Sequence, residues 1–355
     1  MSSNKIQNTL KKGVLNNKAY TLIPIDCDIK INQNESPFDV PGELKEEIIE
    51  RLKDKKWNVY PDFTPQDLYD KMAAYLGITS GNLLMGNGSN EMVFTIMAAT
   101  VEEGKKVIIP EPTFTVYRLI ASNLNGTIEA VPLTKDLGYD VDEMARLAAA
   151  PGSVTIVVNP NNPTGSVIKR DDIIKILDSS NGLVVVDEAY IHFGGESVID
   201  LIDEYENLIV LRTFSKAFGL AGLRIGMMIA NAPLITELSK VKLPYNMNII
   251  TLNTLDVMLD HIPVIEEHTQ KILKNKDILY DFLSKIKEME VFSSEANFYL
   301  VRVADSATLL QQLIGENILV RDVSAYPMLN NCLRISVGNE EENNALMAAL
   351  GKIYR

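Results

Sequence analysis

Thr213-Phe214-Ser215-Lys216-Ala217-Phe218-Gly219-Leu220-Ala221-Gly222-Leu223-Arg224-Ile225-Gly226 is the stretch on which the reading of this chain turns. It follows Leu208-Ile209-Val210-Leu211, an apolar run of the kind that forms a buried strand. The chain then breaks into small residues, with a lysine where the strand ends, a hydroxyl before it and an arginine after it. A lysine amine is nucleophilic at neutral pH only where its surroundings disfavour the ammonium form. An apolar, glycine-lined site with a nearby cation does that, and the chemistry it suits is a Schiff base. Ser215 and Arg224 supply a hydroxyl and a guanidinium fork, donors suited to the oxygens of a phosphate. Alone, a Ser-Lys pair is most often an exposed lysine on a loop; the whole string is far more specific.

Working outward, the same arrangement recurs. Val107-Ile108-Ile109 runs into Pro110-Glu111-Pro112-Thr113-Phe114, Val154 to Val158 into Asn159-Pro160-Asn161-Asn162-Pro163, and Leu183 to Val186 into Asp187-Glu188-Ala189-Tyr190. Continuous Val/Ile/Leu runs without alternation indicate strands buried on both faces, hence an α/β fold with a mainly parallel sheet covered by helices. Ligands of such sheets bind beyond the carboxyl ends of the strands, where the polar motifs sit. Helices are expected over about 43–53, 64–76 and 92–100, one long helical stretch over 249–283, and a last helix after Asn339. Strands near Leu319–Asp322 and Cys332–Gly338 are expected to pair in a smaller α/β domain. We divide the chain into a large domain, 46–254, and a small one built from 1–45 and 255–355. Residues 1–30 show no clear period.

Composition bounds the function. The 355 residues suffice for two cores, and 46% hydrophobic with 23% charged residues is ordinary for a globular protein. A formal net charge of −13 argues against nucleic acid and anionic membrane as partners, so an anionic substrate needs a locally basic pocket. Cys27 and Cys332 have no metal or redox spacing, and His192, His261 and His268 form no ligand cluster, so no metal site is expected. With no signal-peptide or membrane-spanning run, the expected location is the cytoplasm.

Several residues have two readings each. Leu83 to Glu91 is a short apolar run, a Gly-rich turn and a helix start. Ser89 is either a plain N-cap or, with Asn90, part of an anion site made by freed amides. Asp187 follows four apolar residues and needs a partner, which an N-cap, an ion pair or a cationic ring nitrogen would each supply. Asn162 suits a turn and Phe114 suits a core, although each also suits a site. Tyr60, in Asn58-Val59-Tyr60-Pro61-Asp62, reads as a packed turn residue. Arg321 and Arg334 read singly as rim ion pairs.

In order and over most of the chain, these motifs resemble fold-type-I pyridoxal-phosphate enzymes, most closely the histidinol-phosphate aminotransferase family. The resemblance implies pyridoxal 5'-phosphate as cofactor, linked to Lys216. It implies Asp187 on the pyridine nitrogen, Asn162 and Tyr190 on the phenolic oxygen, and Phe114 stacked on the ring, where many members carry Tyr. Ser89, Asn90, Ser215 and Arg224 would hold the phosphate. Tyr60 would reach in from the second chain of a homodimer. Arg321 and Arg334 would bind the substrate anion, and Asn34 and Tyr20 are further candidate substrate contacts. The implied reaction is transamination between a phosphorylated amine, histidinol phosphate, and a 2-oxo acid, 2-oxoglutarate. An aromatic aminotransferase or a threonine-phosphate decarboxylase would preserve Lys216 and Asp187. A ligand-sensing domain of a transcription regulator would need a DNA-binding module, for which the pattern leaves no room before Asn34.

Overall fold

The computed structural model describes residues 3–19, 21 and 24–354. A two-residue strand, β1 (Ile29–Lys30), precedes the main body. Seven strands follow: β2 (Leu83–Asn87), β3 (Lys106–Glu111), β4 (Thr127–Pro132), β5 (Val154–Val158), β6 (Leu183–Asp187), β7 (Leu208–Thr213) and β8 (Ile225–Ile229). They form one sheet in the order β2-β8-β7-β6-β5-β3-β4. The pairs from β7 to β4 are parallel, and β8 runs antiparallel to both β7 and β2. Every residue of β5 is buried, including Thr155 among its Val and Ile neighbours, as a strand covered on both faces requires. Fully burying such a side chain is worth about 1.5–3 kcal/mol, so this central ladder anchors the fold. The α/β class and the mainly parallel, helix-covered sheet read from the sequence are the ones observed.

The C-terminal part adds β9 (Glu290–Val291), β10 (Phe298–Arg302), β11 (Ile318–Leu319), β12 (Arg321–Asp322) and β13 (Cys332–Ser336). Four of these make an antiparallel sheet, β12-β13-β10-β9, and β11 pairs with β1. In that sheet Arg321 lies directly opposite Arg334. The long helical stretch is two helices, Ile249–Asp260 and Ile262–Leu283. Pro263 sits in the first turn of the second, where its missing N–H costs nothing, and His261 at the junction leaves helical geometry (φ −120°). Among the described residues no helix is long and apolar enough to cross a membrane.

Two glycines explain how the N-terminus of helix Ser89–Thr100 reaches the strand ends. Gly86 of β2 faces Gly226 of β8, and a Cβ on Gly226 would stand 2.1 Å from the backbone nitrogen of Ser89. Gly88 caps the helix at φ +77°, a conformation that suits glycine. The cap is therefore Gly88 rather than Ser89, and no side-chain cap hydrogen bond closes the helix end.

Candidate active site

Val158, Asp187 and Thr213 end three neighbouring strands, and the segments after them converge on a cavity of about 240 Å³. Its walls include Ser89, Asn90, Phe114, Asn162, Asp187, Tyr190, Ser215, Lys216 and Arg224. The second sheet and the segment before helix Gly42–Lys53 add Asn34, Arg321 and Arg334. A larger cleft, about 1060 Å³, lies at the opposite strand ends among Lys105, Gly152, Asn181 and Glu237, and gathers none of these groups.

Lys216 lies three residues beyond the end of β7, and its Nζ donates to the carbonyl of Gln33 at 2.8 Å. Part of its surface opens onto the cavity, but protein packs round the amine. Desolvation, with the charges of Arg334 and Arg224, pushes the ammonium down to about 7, against the opposing pull of Glu35 and Asp187. The amine is thus substantially neutral at physiological pH, the state a nucleophile or base needs.

Asp187, the last residue of β6, is buried. Burial pushes its carboxyl up; hydrogen bonds from the Tyr117 hydroxyl to Oδ2 and from the Ala189 N–H to Oδ1 (3.0 Å) pull it back. Tyr117, on helix Val116–Asn123, was not marked by the sequence, because its role depends on a contact far along the chain. Phe114 lines the cavity and also packs edge-on against Tyr117 at 6.2 Å, so its core and site readings both hold.

Tyr190 accepts a hydrogen bond at Oη from Asn34 Nδ2 (2.9 Å), and Asn34 Oδ1 accepts from Ser336 Oγ (2.8 Å). Arg334 donates through Nη1 to Asn162 Oδ1 (2.5 Å) and through Nη2 to the Asn32 carbonyl (2.7 Å). The Arg334 contact fixes the Asn162 amide with its NH2 as the remaining donor. Tyr326, beside Arg321 and Val323 on the cavity wall, is a further lining residue that sequence pattern did not mark.

At the cavity's other end, Arg224 Nη1 donates to Ser215 Oγ (3.1 Å) and to the Ala221 carbonyl (3.2 Å). Arg224 is held at φ +52°, an unfavourable backbone for a long side chain. A Cβ on Gly88 would come within 2.6 Å of Arg224 Nη2, so the guanidinium lies hard against the start of helix Ser89–Thr100. Uncapped helix amides, a serine hydroxyl and a guanidinium converge here, a donor set made for a phosphate.

Two candidates stand apart. Tyr60 is 78% exposed, outside the cavity, stacked on Tyr245 at 4.6 Å. Tyr20 lies outside the described residues. The other groups fit pyridoxal 5'-phosphate end to end. A phosphate cradle, a wall aromatic, a buried carboxylate and a lysine with a depressed pKa surround one cavity of suitable size.

Comparison with known proteins agrees with this chemistry. The model of the family "Aminotransferase class I and II" matches residues 28–350. The histidinol-phosphate aminotransferase of Chlorobium chlorochromatii is 43% identical over 92% of this chain and 91% of its own. That of Thermoanaerobacter pseudethanolicus is 41% identical over 98% and 99%. Among solved structures, the histidinol-phosphate aminotransferase of Sinorhizobium meliloti in complex with pyridoxal-5'-phosphate superposes with a TM-score of 0.84 at 24% identity, covering 93% of this chain and 91% of that one. The chain belongs to the class I and II aminotransferases and, within them, to the pyridoxal-phosphate-dependent histidinol-phosphate aminotransferase family.

Proposed function

We propose that this enzyme moves the amino group of histidinol phosphate to 2-oxoglutarate, with each cavity residue in a separate role. Lys216 would link the cofactor, and its amine, once freed, would take the proton from the substrate's Cα and return it. Bound in the cavity, the cofactor supplies an electron-withdrawing ring that accepts the electrons of the Cα–H bond. Asp187 keeps the ring nitrogen protonated. Asn162 and Tyr190 donate to the phenolic oxygen, and Phe114 covers one ring face. Ser89, Asn90, Ser215 and Arg224 hold the cofactor phosphate.

The observation that carries the substrate reading is the pair Arg321 and Arg334, in register across neighbouring strands and both on the cavity wall. Histidinol phosphate has no α-carboxylate, so its phosphate is the group two guanidinium forks would receive. The same pair suits the carboxylate of glutamate in the second half-reaction. The high identity to curated histidinol-phosphate aminotransferases supports the same substrate.

The active site is completed, on this reading, by Tyr60 of a second copy. Tyr60 is exposed, as are Trp57 and Phe63 nearby in sequence, and among the described residues it is not one of those lining the cavity. Such apolar exposure suits an interface between copies.

Single-turnover mixing of the cofactor-loaded enzyme with histidinol phosphate, histidinol, phenylalanine and threonine phosphate tests the substrate assignment through the cofactor absorbance. Loss of a buried anion–arginine contact costs about 2–5 kcal/mol, so histidinol should react well over tenfold more poorly than its phosphate. Faster conversion by phenylalanine would make the enzyme an aromatic aminotransferase. Carbon dioxide released from threonine phosphate would make it a decarboxylase.

A further inference from the structure

Three buried side chains from distant parts of the chain meet at the cavity wall. The Asn34 N–H donates to Ser336 Oγ (2.9 Å), Ser336 Oγ donates to Asn34 Oδ1 (2.8 Å), and Asn34 Nδ2 donates to Tyr190 Oη (2.9 Å). Asn34 is 1% exposed and holds a left-handed backbone, φ +56°, which Asn tolerates better than most residues. Its carbonyl accepts from Asn297 Nδ2 (3.2 Å), which pins the turn from a third side.

The polarity of this chain of bonds is determined rather than free. Ser336 Oγ already accepts from the Asn34 backbone, so its single proton must go elsewhere. Among the described residues Asn34 Oδ1 is the acceptor that hydroxyl meets. Rotating the Asn34 amide by half a turn would bring NH2 against Ser336 and strand the hydroxyl proton in a buried site, a costly arrangement. The NH2 therefore faces Tyr190. A phenol that accepts on one side is left with its own proton for another partner.

We propose that Asn34, backed by Ser336, is a positioning residue that locks Tyr190 as a hydrogen-bond donor toward the cavity. Asn34 then acts on the cofactor through Tyr190 and not as a substrate contact. It also ties the second sheet, through Ser336 of β13, to the group that reads the cofactor's phenolic oxygen. The proposal rests on the role given above to Tyr190. Burial keeps the phenol protonated, which a donor requires. The charged and titratable groups facing it are Arg334, Asp187, Tyr326 and Lys216, and the hydrogen bond it accepts comes from Asn34 Nδ2.

The test is a pH titration of the visible absorbance of the loaded enzyme. A donor to the phenolic oxygen favours its anionic form, so losing that donor raises the midpoint. Tyr190→Phe should raise it by about one pH unit or more. Asn34→Asp keeps the shape but accepts only, so it draws the Tyr190 proton away from the cavity. It should raise the midpoint by a similar amount, and in the Tyr190→Phe background most of that increment should vanish. An unchanged midpoint in Asn34→Asp overturns the proposal. So do increments that add in full in the double variant, which would mean that the new charge acts alone. If Asn34→Asp does not load, Ser336→Ala decides: a smaller shift in the same direction is expected, and no shift overturns the lock. An unshifted Tyr190→Phe would instead remove the role assigned to Tyr190 itself.

Discussion

Tyr117→Phe removes a single oxygen from a ring that is 1% exposed, and with it one of the two hydrogen bonds on the Asp187 carboxylate. Phe keeps the ring contact with Phe114, so packing changes little. The lost bond is one to an ionised group, worth about 1.5–3 kcal/mol. Burial already pushes the Asp187 carboxyl up and the Tyr117 bond is the largest of the opposing effects, so its loss should raise that pKa further. A carboxylate less ready to ionise is a weaker partner for a protonated ring nitrogen. Pyridoxal phosphate should bind roughly ten- to 150-fold more weakly. Fluorescence titration of the cofactor-free protein gives the Kd. The control is Tyr139→Phe, which deletes an equally buried hydroxyl bonded instead to the Val158 carbonyl. Unchanged affinity in Tyr117→Phe, or an equal loss in Tyr139→Phe, would refute the reasoning.

The Lys216 amine is reactive only when neutral, and its ammonium is pushed down to about 7. The rate of cofactor loading should therefore rise with pH to a plateau with a midpoint near that value; a midpoint near the ordinary 10.5 would contradict the desolvated site. The Arg334 charge is the second cause of that shift, so Arg334→Ala should move the loading midpoint upward. The same variant should slow both half-reactions in single-turnover assays, by well over tenfold if one charged contact is lost in each. Mixing inactive Lys216→Ala chains with inactive Tyr60→Ala chains should restore about one competent site per heterodimer; no recovery after proven subunit exchange would count against a shared site.

The parts of the fold set by local pattern were legible in the sequence. Val154–Val158 is observed with the bounds its β-branched run indicates, and Leu183–Asp187 differs by one residue. Polar motifs after such strands had to share one end of the sheet, and Asn162, Asp187 and Lys216 do so. Strand β8 was not read as a strand. Its first glycine continues a small-residue loop, and its direction depends on pairing with β2 and β7 rather than on its own pattern. Tyr117 and Ser336 were also missed: each matters through a partner far away in the chain, and neither carries a local signature. Asn34 was marked for the substrate from its motif, and its side chain, on the cavity wall, bonds Tyr190 and Ser336, partners the motif did not indicate.

The central claim is that Lys216 carries the cofactor, and borohydride tests it most directly. Reduction of the loaded enzyme fixes the pyridoxyl group to the amine that holds it, and peptide mapping by mass spectrometry then locates the label. The expected result is a single labelled peptide containing Lys216, with Lys216→Ala left unlabelled. A stoichiometric label on any other lysine, or undiminished labelling of Lys216→Ala, would contradict the account.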